Sequence, residues 1–226
     1  MKINITILIG TILFLFSCTG HIEKPVIKNK INGDIKLITE TKHKAVEKFG
    51  KIQDGHLINI QSFNYNEKGK LSEFNDYLLK GEIEYKSNYT YDNEGTMTES
   101  SSYCSNGDLI SKSIVKYDDK LNQVDEFFYN TSGDVEFMLR FIYNNNGEIT
   151  ELLTYESDGE VDYKIQYEYD ENGSLKKESH YDKNGVPIVA KDFKYDEFDS
   201  EDNWTSRVMY VDNKPIQVTK RVIEYY

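Results

Sequence analysis

The chain alternates apolar and polar positions with a period of two, and short Asx-rich stretches ending in glycine interrupt the alternation at regular intervals. In EVDYKIQYEYD, Val161, Tyr163, Ile165, Tyr167 and Tyr169 share one face, and Asp162, Lys164, Gln166 and Glu168 share the other. DVEFMLRFIY repeats the pattern with Val135, Phe137, Leu139, Phe141 and Tyr143, and EIEYKSNYTY with Ile83, Tyr85, Tyr89 and Tyr91. Such alternation predicts half-buried strands, and Tyr, Ile, Val and Thr supply the propensity. Between strands, Asp170-Glu171-Asn172-Gly173 places Asp at the first and Gly at the fourth position of a type I turn. Glycine there accepts a positive φ, as in a three-residue hairpin loop with a G1 bulge. Asp92 to Gly95, Asn144 to Gly147 and Asp182 to Gly185 follow the same logic.

The turn glycines act as a ruler. Gly55, Gly69, Gly81, Gly95 and Gly107 are followed by Gly133, Gly147, Gly159, Gly173 and Gly185, with Leu121 filling the one gap. The steps alternate between 14 and 12 residues, a true period of 26. Self-similarity at a fixed period marks a repeat architecture. Past Gly185 the segment YDEFDSEDN carries extra residues. With Asp202 in the glycine place, Lys214 follows twelve later and the rhythm resumes. The longer step is a strand ending in Tyr-x-Tyr or Phe-x-Tyr. The shorter one keeps an apolar residue two after the turn (Leu71, Met97, Ile149, Leu175, Trp204) and a tyrosine eight after (Tyr77, Tyr103, Tyr129, Tyr155, Tyr181, Tyr210). Side by side, these recurrences build cross-strand ladders, which account for the 18 tyrosines without a ligand.

Each step is one strand and one turn, so consecutive strands run antiparallel. No helical periodicity exceeds two turns. Residues 31–55 contribute a first strand or hairpin, and QVTKRVIEYY supplies the last strand. The expectation is an all-β domain over residues 31–226: an antiparallel up-and-down meander of about 12–14 strands built from 26-residue hairpin repeats. It is drawn as a single curved or spiralling sheet, with partial closure left open. An open form has two edges, one of them blunted by the lysines of the first segment.

The amino terminus changes the picture. Lys2 precedes an apolar run from Ile3 to Phe16, too short to span a bilayer comfortably and read as a signal peptide over residues 1–17. Leu15-Phe16-Ser17-Cys18 resembles the lipobox of bacterial lipoproteins. The resemblance implies cleavage behind Ser17 and acylation of Cys18, an anchor stronger than a single acyl chain. Residues 18–30 are polar, contain Pro25 and read as a linker. The expected location is the bacterial cell envelope, lipid-anchored at the outer membrane. The lack of an acidic stretch after Cys18 favours the periplasmic side. With Cys18 so used, only Cys104 remains and no intramolecular disulfide forms. A net charge of −12 argues against nucleic-acid binding.

YEYDENGSL, YTYDNEGTM, FNYNEKGKL, FIYNNNGEI and the divergent KYDEFDSEDNW resemble the YD repeats of the RHS family, over about residues 55 to 226. In large RHS proteins similar repeats form a β-sheet shell around a toxic domain. This chain is far too short for such a shell and carries no toxin domain. The resemblance to a small YD-repeat lipoprotein therefore implies the strand-turn architecture and a binding role, and no toxin activity.

Chemistry is sparse. There is no G-x-S-x-G elbow, and no glycine cluster precedes a helix as a phosphate loop requires. His21, His43, His56 and His180 lack metal-ligand spacing and read as surface residues. Asp196, Glu197, Asp199, Glu201 and Asp202 form the best calcium candidate, but without EF-hand order they read as a solvated loop. No metal or cofactor is expected. Most acids fall in turns or on polar strand faces, where solvent keeps their pKa values ordinary. Cys104 reads as an incidental turn residue. The expectation is therefore a non-enzymatic scaffold binding a protein or glycan. The alternative is an envelope carbohydrate-active enzyme using a pair of turn carboxylates.

Overall fold

The computed structural model describes residues 31–118 and 123–226. They form fourteen strands and, among the described residues, no helix. In chain order these are β1 (Ile35–Lys48), β2 (Lys51–Tyr65), β3 (Leu71–Tyr77), β4 (Ile83–Tyr91), β5 (Met97–Cys104), β6 (Leu109–Tyr117) and β7 (Gln123–Tyr129). The rest are β8 (Val135–Tyr143), β9 (Ile149–Glu156), β10 (Val161–Tyr169), β11 (Leu175–Asp182), β12 (Pro187–Phe198), β13 (Trp204–Val211) and β14 (Lys214–Tyr225). Every strand pairs antiparallel with its sequence neighbours, and β1 pairs with β14 from Ile35↔Tyr225 to Lys44↔Gln217.

The meander and its strand number agree with the sequence expectation. The curved or spiralling open sheet does not, because the sheet closes into a barrel. Strand twist accumulates in one direction, and closure pairs the backbone groups that two open edges would expose. The first-segment lysines therefore guard no edge. Lys42 and Lys44 lie in the closing seam, opposite Thr219 and Gln217.

The turns follow the expected chemistry. The Gly173 amide donates to the Asp170 carbonyl at 3.0 Å, the Asp170 amide to Ser174 at 2.9 Å, and Gly173 has φ +80°. Asp170 Oδ1 also accepts the amides of Asn172 and Ser174, both at 2.9 Å. Gly173→Val should destabilise by roughly 1–3 kcal/mol in urea denaturation, since a β-branched residue resists positive φ. An unchanged midpoint would contradict this turn geometry.

The end of the ruler is different in detail. Asp202 does occupy the glycine place, with φ +61°. Asp199 caps this turn as Asp170 caps its own, with Oδ1 accepting the amides of Glu201 and Asn203. The extra residues sit not in the turn but in β12, where register shifts separate Tyr195, Glu197 and Phe198. Lys214 is not a turn residue. Asp212 and Asn213 both have positive φ and Val211 pairs with Lys214, a two-residue turn of type I′ character.

Gly55 also leaves the ruler, for it lies inside β2. A Cβ there would stand 2.8 Å from the Lys44 carbonyl oxygen, so close backbone approach beside a bulge explains this glycine. The first hairpin instead turns at Phe49 and Gly50, with φ of +53° and +72°. Leu121 lies outside the described residues.

Turns after β2, β4, β8, β10 and β12 mark the rim where the chain enters, since Asn32 is clasped there by Asn203: Asn32 N–H donates to Oδ1 at 2.8 Å, and Nδ2 donates to the Asn32 carbonyl at 2.9 Å. Turns after the odd-numbered strands form the far rim. The lumen is filled by its own side chains: Phe141 and Leu175 are each 2 % exposed and Ile38 1 %. The outward face carries Lys86, Lys112, Arg140, Lys164 and Lys194, the reverse of the apolar lipid-facing band of a transmembrane barrel.

One outward patch is covered. The β1–β2 hairpin is irregular around His43, and its Ala45 and Ile52 pack on Val208, Val218 and Tyr210. Asp54 meets Lys220 at 3.6 Å. The hairpin tip thus lies against the outside of β13 and β14 and leaves Phe49 fully exposed.

Candidate functional site

A register shift near the start of β3, β5, β9, β11 and β13 reverses the inside–outside phase of the strand. In β11, the shift between Glu168 and Tyr169 lets Leu175 point inward together with Glu178 and His180, so Tyr181 points outward. Leu175 and Tyr181 are six apart, and simple alternation would put them on one face. The shift therefore divides the tyrosines into two sets and brings titratable groups inside.

Tyrosines just before the entry-rim turns point inward and brace neighbouring repeats. The hydroxyls of Tyr91, Tyr117, Tyr169 and Tyr195 donate to the carbonyls of Leu71, Met97, Ile149 and Leu175 at 2.6, 3.0, 2.9 and 2.8 Å. Each acceptor is the residue two after the preceding entry-rim turn. Burial pushes the Tyr91 hydroxyl up to about 12. Tyr169→Phe should cost about 1 kcal/mol in thermal denaturation, the net worth of one such bond.

Among the described residues, three of the polar clusters that lie inside hold acids. At the seam, Arg221 Nε and Nη2 donate to Glu40 Oε1, both at 2.7 Å. The guanidinium of Arg221 lies 3.4 Å from the Trp204 ring centroid and that of Arg207 4.7 Å from it. Burial alone would raise the Glu40 carboxyl, but the charges of Arg221, Lys42 and Arg207 outweigh it and hold the pKa below its ordinary value.

In the second cluster, His180 is 0 % exposed and stands between the Tyr163 hydroxyl, 2.5 Å from Nδ1, and Glu178 Oε2, 3.1 Å from Nε2. Lys191 Nζ approaches the same Glu178 oxygen at 3.4 Å. A tyrosine–histidine–carboxylate chain is able to pass a proton; here His180 and Glu178 are buried and Tyr163 is partly buried.

The third cluster is a serine ladder. Ser87 meets Ser102 at 2.9 Å, Ser100 meets Ser113 at 2.7 Å, and Ser113 donates to Glu126 Oε1 at 2.5 Å. Burial pushes the Glu126 carboxyl up to about 7, against the opposing hydrogen bonds from Ser113 and Ser100.

These clusters correct two expectations. His180 is not a surface residue, and Glu40, Glu126 and Glu178 are not solvated acids with ordinary surroundings. The turn acids have a different task from the carboxylate pair of a glycosidase: Asp92, Asp170, Asp182 and Asp199 accept the amides of their own turns. Asp199 Oδ2 also accepts the Tyr225 hydroxyl at 2.5 Å. Burial would raise its carboxyl, yet the hydrogen bonds from Tyr225, Asn203 and Glu201 hold it below the ordinary range. Among the described residues, no group of three or more His, Cys, Asp or Glu is arranged to hold a metal ion. Cys104 is a partly buried residue where β5 meets its turn. Cys18, the segments 1–17 and 18–30, and His21 lie outside the described residues.

Outward, three of the repeats lay an acid, a cation, a tyrosine and an aliphatic side chain across four consecutive strands. Glu99 pairs with Lys112 at 3.0 Å, Lys112 lies opposite Tyr129, and Tyr129 opposite Val135. Asp125 pairs with Arg140 at 2.7 Å, Arg140 lies 5.3 Å from the Tyr155 ring centroid, and Tyr155 is opposite Val161. Glu73, Lys86, Tyr103 and Leu109 repeat the order. Lys164 stands 4.8 Å from the Tyr181 ring. Parity would not separate this outer set of tyrosines from the inner one.

No protein-family model and no curated protein matches the sequence. Several solved structures are similar in part. A porin-like protein from Bacteroides uniformis superposes with a TM-score of 0.48 at 11% identity, covering 86% of this chain and 98% of that one. A LolA superfamily protein from Nitrosomonas europaea gives 0.35 at 9% identity, over 88% and 90% of the two chains. An outer membrane lipoprotein-sorting protein domain from Vibrio parahaemolyticus gives 0.31 at 7% identity, over 84% and 85%.

Proposed function

We propose that the protein is a lipid-anchored module of the bacterial cell envelope that binds a protein or glycan partner on the outside of its barrel and does not transform it. The observation that carries this reading is the sealed lumen. Glu126, Glu178 and His180 are the groups with catalytic potential, and each is no more than 7 % exposed. A substrate meets the outer surface, where Asp92, Asp170, Asp182 and Asp199 cap turns and Glu73, Glu99 and Asp125 pair with cations. The YD-repeat resemblance supports the same interaction role, and the net charge of −12 disfavours a nucleic-acid partner.

The lipobox resemblance supplies the anchor at Cys18, with the linker 18–30 leading to the rim where Asn203 clasps Asn32. In this arrangement the entry rim faces the membrane and the far rim faces away. Cys18→Ser should move the protein from the membrane fraction to the soluble fraction, and continued membrane retention would overturn the anchor. Gentle crosslinking and capture from envelopes should recover a protein or glycan absent from a tag-only control. Recovery of neither would overturn the binding role. Glu126→Gln and Glu178→Gln should leave that capture unchanged, and loss of it with both folded variants would favour a catalytic reading.

A further inference from the structure

Asn-Gly pairs stand at Asn32, Asn106, Asn146, Asn172 and Asn184. Asparagine before glycine ages chemically, because no side chain shields the next backbone nitrogen from the carboxamide. We propose that Asn32-Gly33 is a self-modifying latch: spontaneous deamidation there releases the segment by which the chain enters the barrel. In this reaction the Gly33 nitrogen gives its proton to solvent and attacks Asn32 Cγ. The N–Cγ bond forms, the Cγ–Nδ2 bond breaks, and the departing nitrogen takes up a proton and leaves as ammonia. Water then opens the succinimide at either carbonyl and leaves aspartate or isoaspartate at position 32.

The other four pairs are held against this step. Gly107, Gly147, Gly173 and Gly185 donate their amides to the carbonyls of Cys104, Asn144, Asp170 and Asp182, at 2.9, 3.0, 3.0 and 3.0 Å. The attacking nitrogen is engaged in each, and freeing it opens a hairpin turn. Asn144, Asp170 and Asp182 also clamp three of these turns through Oδ1. The Gly33 amide donates to no group among the described residues, and Gly33 is exposed. Asn32 is restrained instead by the clasp: its two bonds with Asn203, and its own Nδ2 donating to the Glu201 carbonyl at 2.9 Å. That clasp precedes the first strand, where local fraying costs less than opening a hairpin.

The product does not fit the clasp. A carboxylate at position 32 has no hydrogen to give the Glu201 carbonyl, and it meets a turn that already carries Asp199, Glu201 and Asp202. Isoaspartate also adds a methylene to the backbone, which displaces the N–H and C=O that Asn203 grips. The latch is closed as asparagine and opens on conversion, whatever the outer surface binds.

Ageing the full mature protein at mildly alkaline pH, followed by peptide mass mapping that resolves aspartate from isoaspartate, tests this. Position 32 should convert first, several-fold faster than the four turn pairs. Asn203→Ala should speed that conversion further and leave the turn pairs at their wild-type rates. Aged protein separated by charge, and the Asn32→Asp variant, should both exchange amides faster in residues 31–35 and unchanged in β5 to β10. The aged wild type keeps the test valid if the variant fails to fold. Conversion of any turn pair ahead of position 32 would overturn the proposal. So would unchanged exchange in residues 31–35 of the aged protein, or a loss of protection spread through the whole barrel.

Discussion

Replacing Glu40 with glutamine should cost about 3–5 kcal/mol, the usual penalty for leaving a buried charge without its partner. Glu40 on β1 and Arg221 on β14 face each other across the seam that closes the barrel, with both guanidinium contacts at 2.7 Å. Arginine does not escape by losing its proton. Without Glu40, Arg221 and Arg207 would both remain against Trp204, two cations near one ring with no carboxylate between them. Arg221→Met should be milder, because the abandoned Glu40 is able to neutralise itself by binding a proton. Urea denaturation gives the size of the effect, and amide hydrogen exchange gives its place. Exchange should rise first in β1 and β14. A stability loss below about 1 kcal/mol, with the seam amides still protected, would show that this ion pair does not hold the closure.

Glu126→Gln should act in the opposite direction and only above acidic pH. The folded carboxyl titrates at about 7, whereas an unfolded glutamate titrates near 4.3. Below the unfolded value both states hold the proton and the native protein has its full stability. As pH rises from there to about 7, the unfolded chain releases its proton while the folded chain keeps it, so stability falls. The accumulated loss is about 4 kcal/mol and is complete above the folded value. Glutamine keeps an oxygen for Ser113 and has no proton to release. The variant and the wild type should therefore melt together at about pH 3.5, and the variant should be more stable by about 4 kcal/mol at pH 8. A difference that stays constant across this range would place the titration elsewhere.

The strand count and the turns were legible because both depend on local chemistry: alternation for the strands, and an Asx residue followed by glycine for the turns. Closure was not legible. It depends on whether twist summed over fourteen strands brings β14 beside β1, and no short stretch of sequence encodes that sum. Gly55 fell on the ruler by spacing alone, although its physical reason is the 2.8 Å approach to Lys44. Buried His180 and Glu178 were hidden by the bulge at the start of β11. Alternation counted from Leu175 sends Tyr181 inward and His180 outward, the reverse of their positions. The same reversal hid the outer set of tyrosines, which looked like half of a single ladder of aromatic residues.

The seam also bears on the order of folding. Each other strand pair joins neighbours in sequence, whereas Glu40 and Arg221 are separated by 181 residues. Local hairpins close small loops at low entropic cost, and the seam closes the largest. Hairpin formation should therefore run ahead, with β1 meeting β14 after the rate-limiting step. Glu40→Gln would then speed unfolding and leave the refolding rate almost unchanged. A seam formed late in folding is also the first place where the finished barrel comes open.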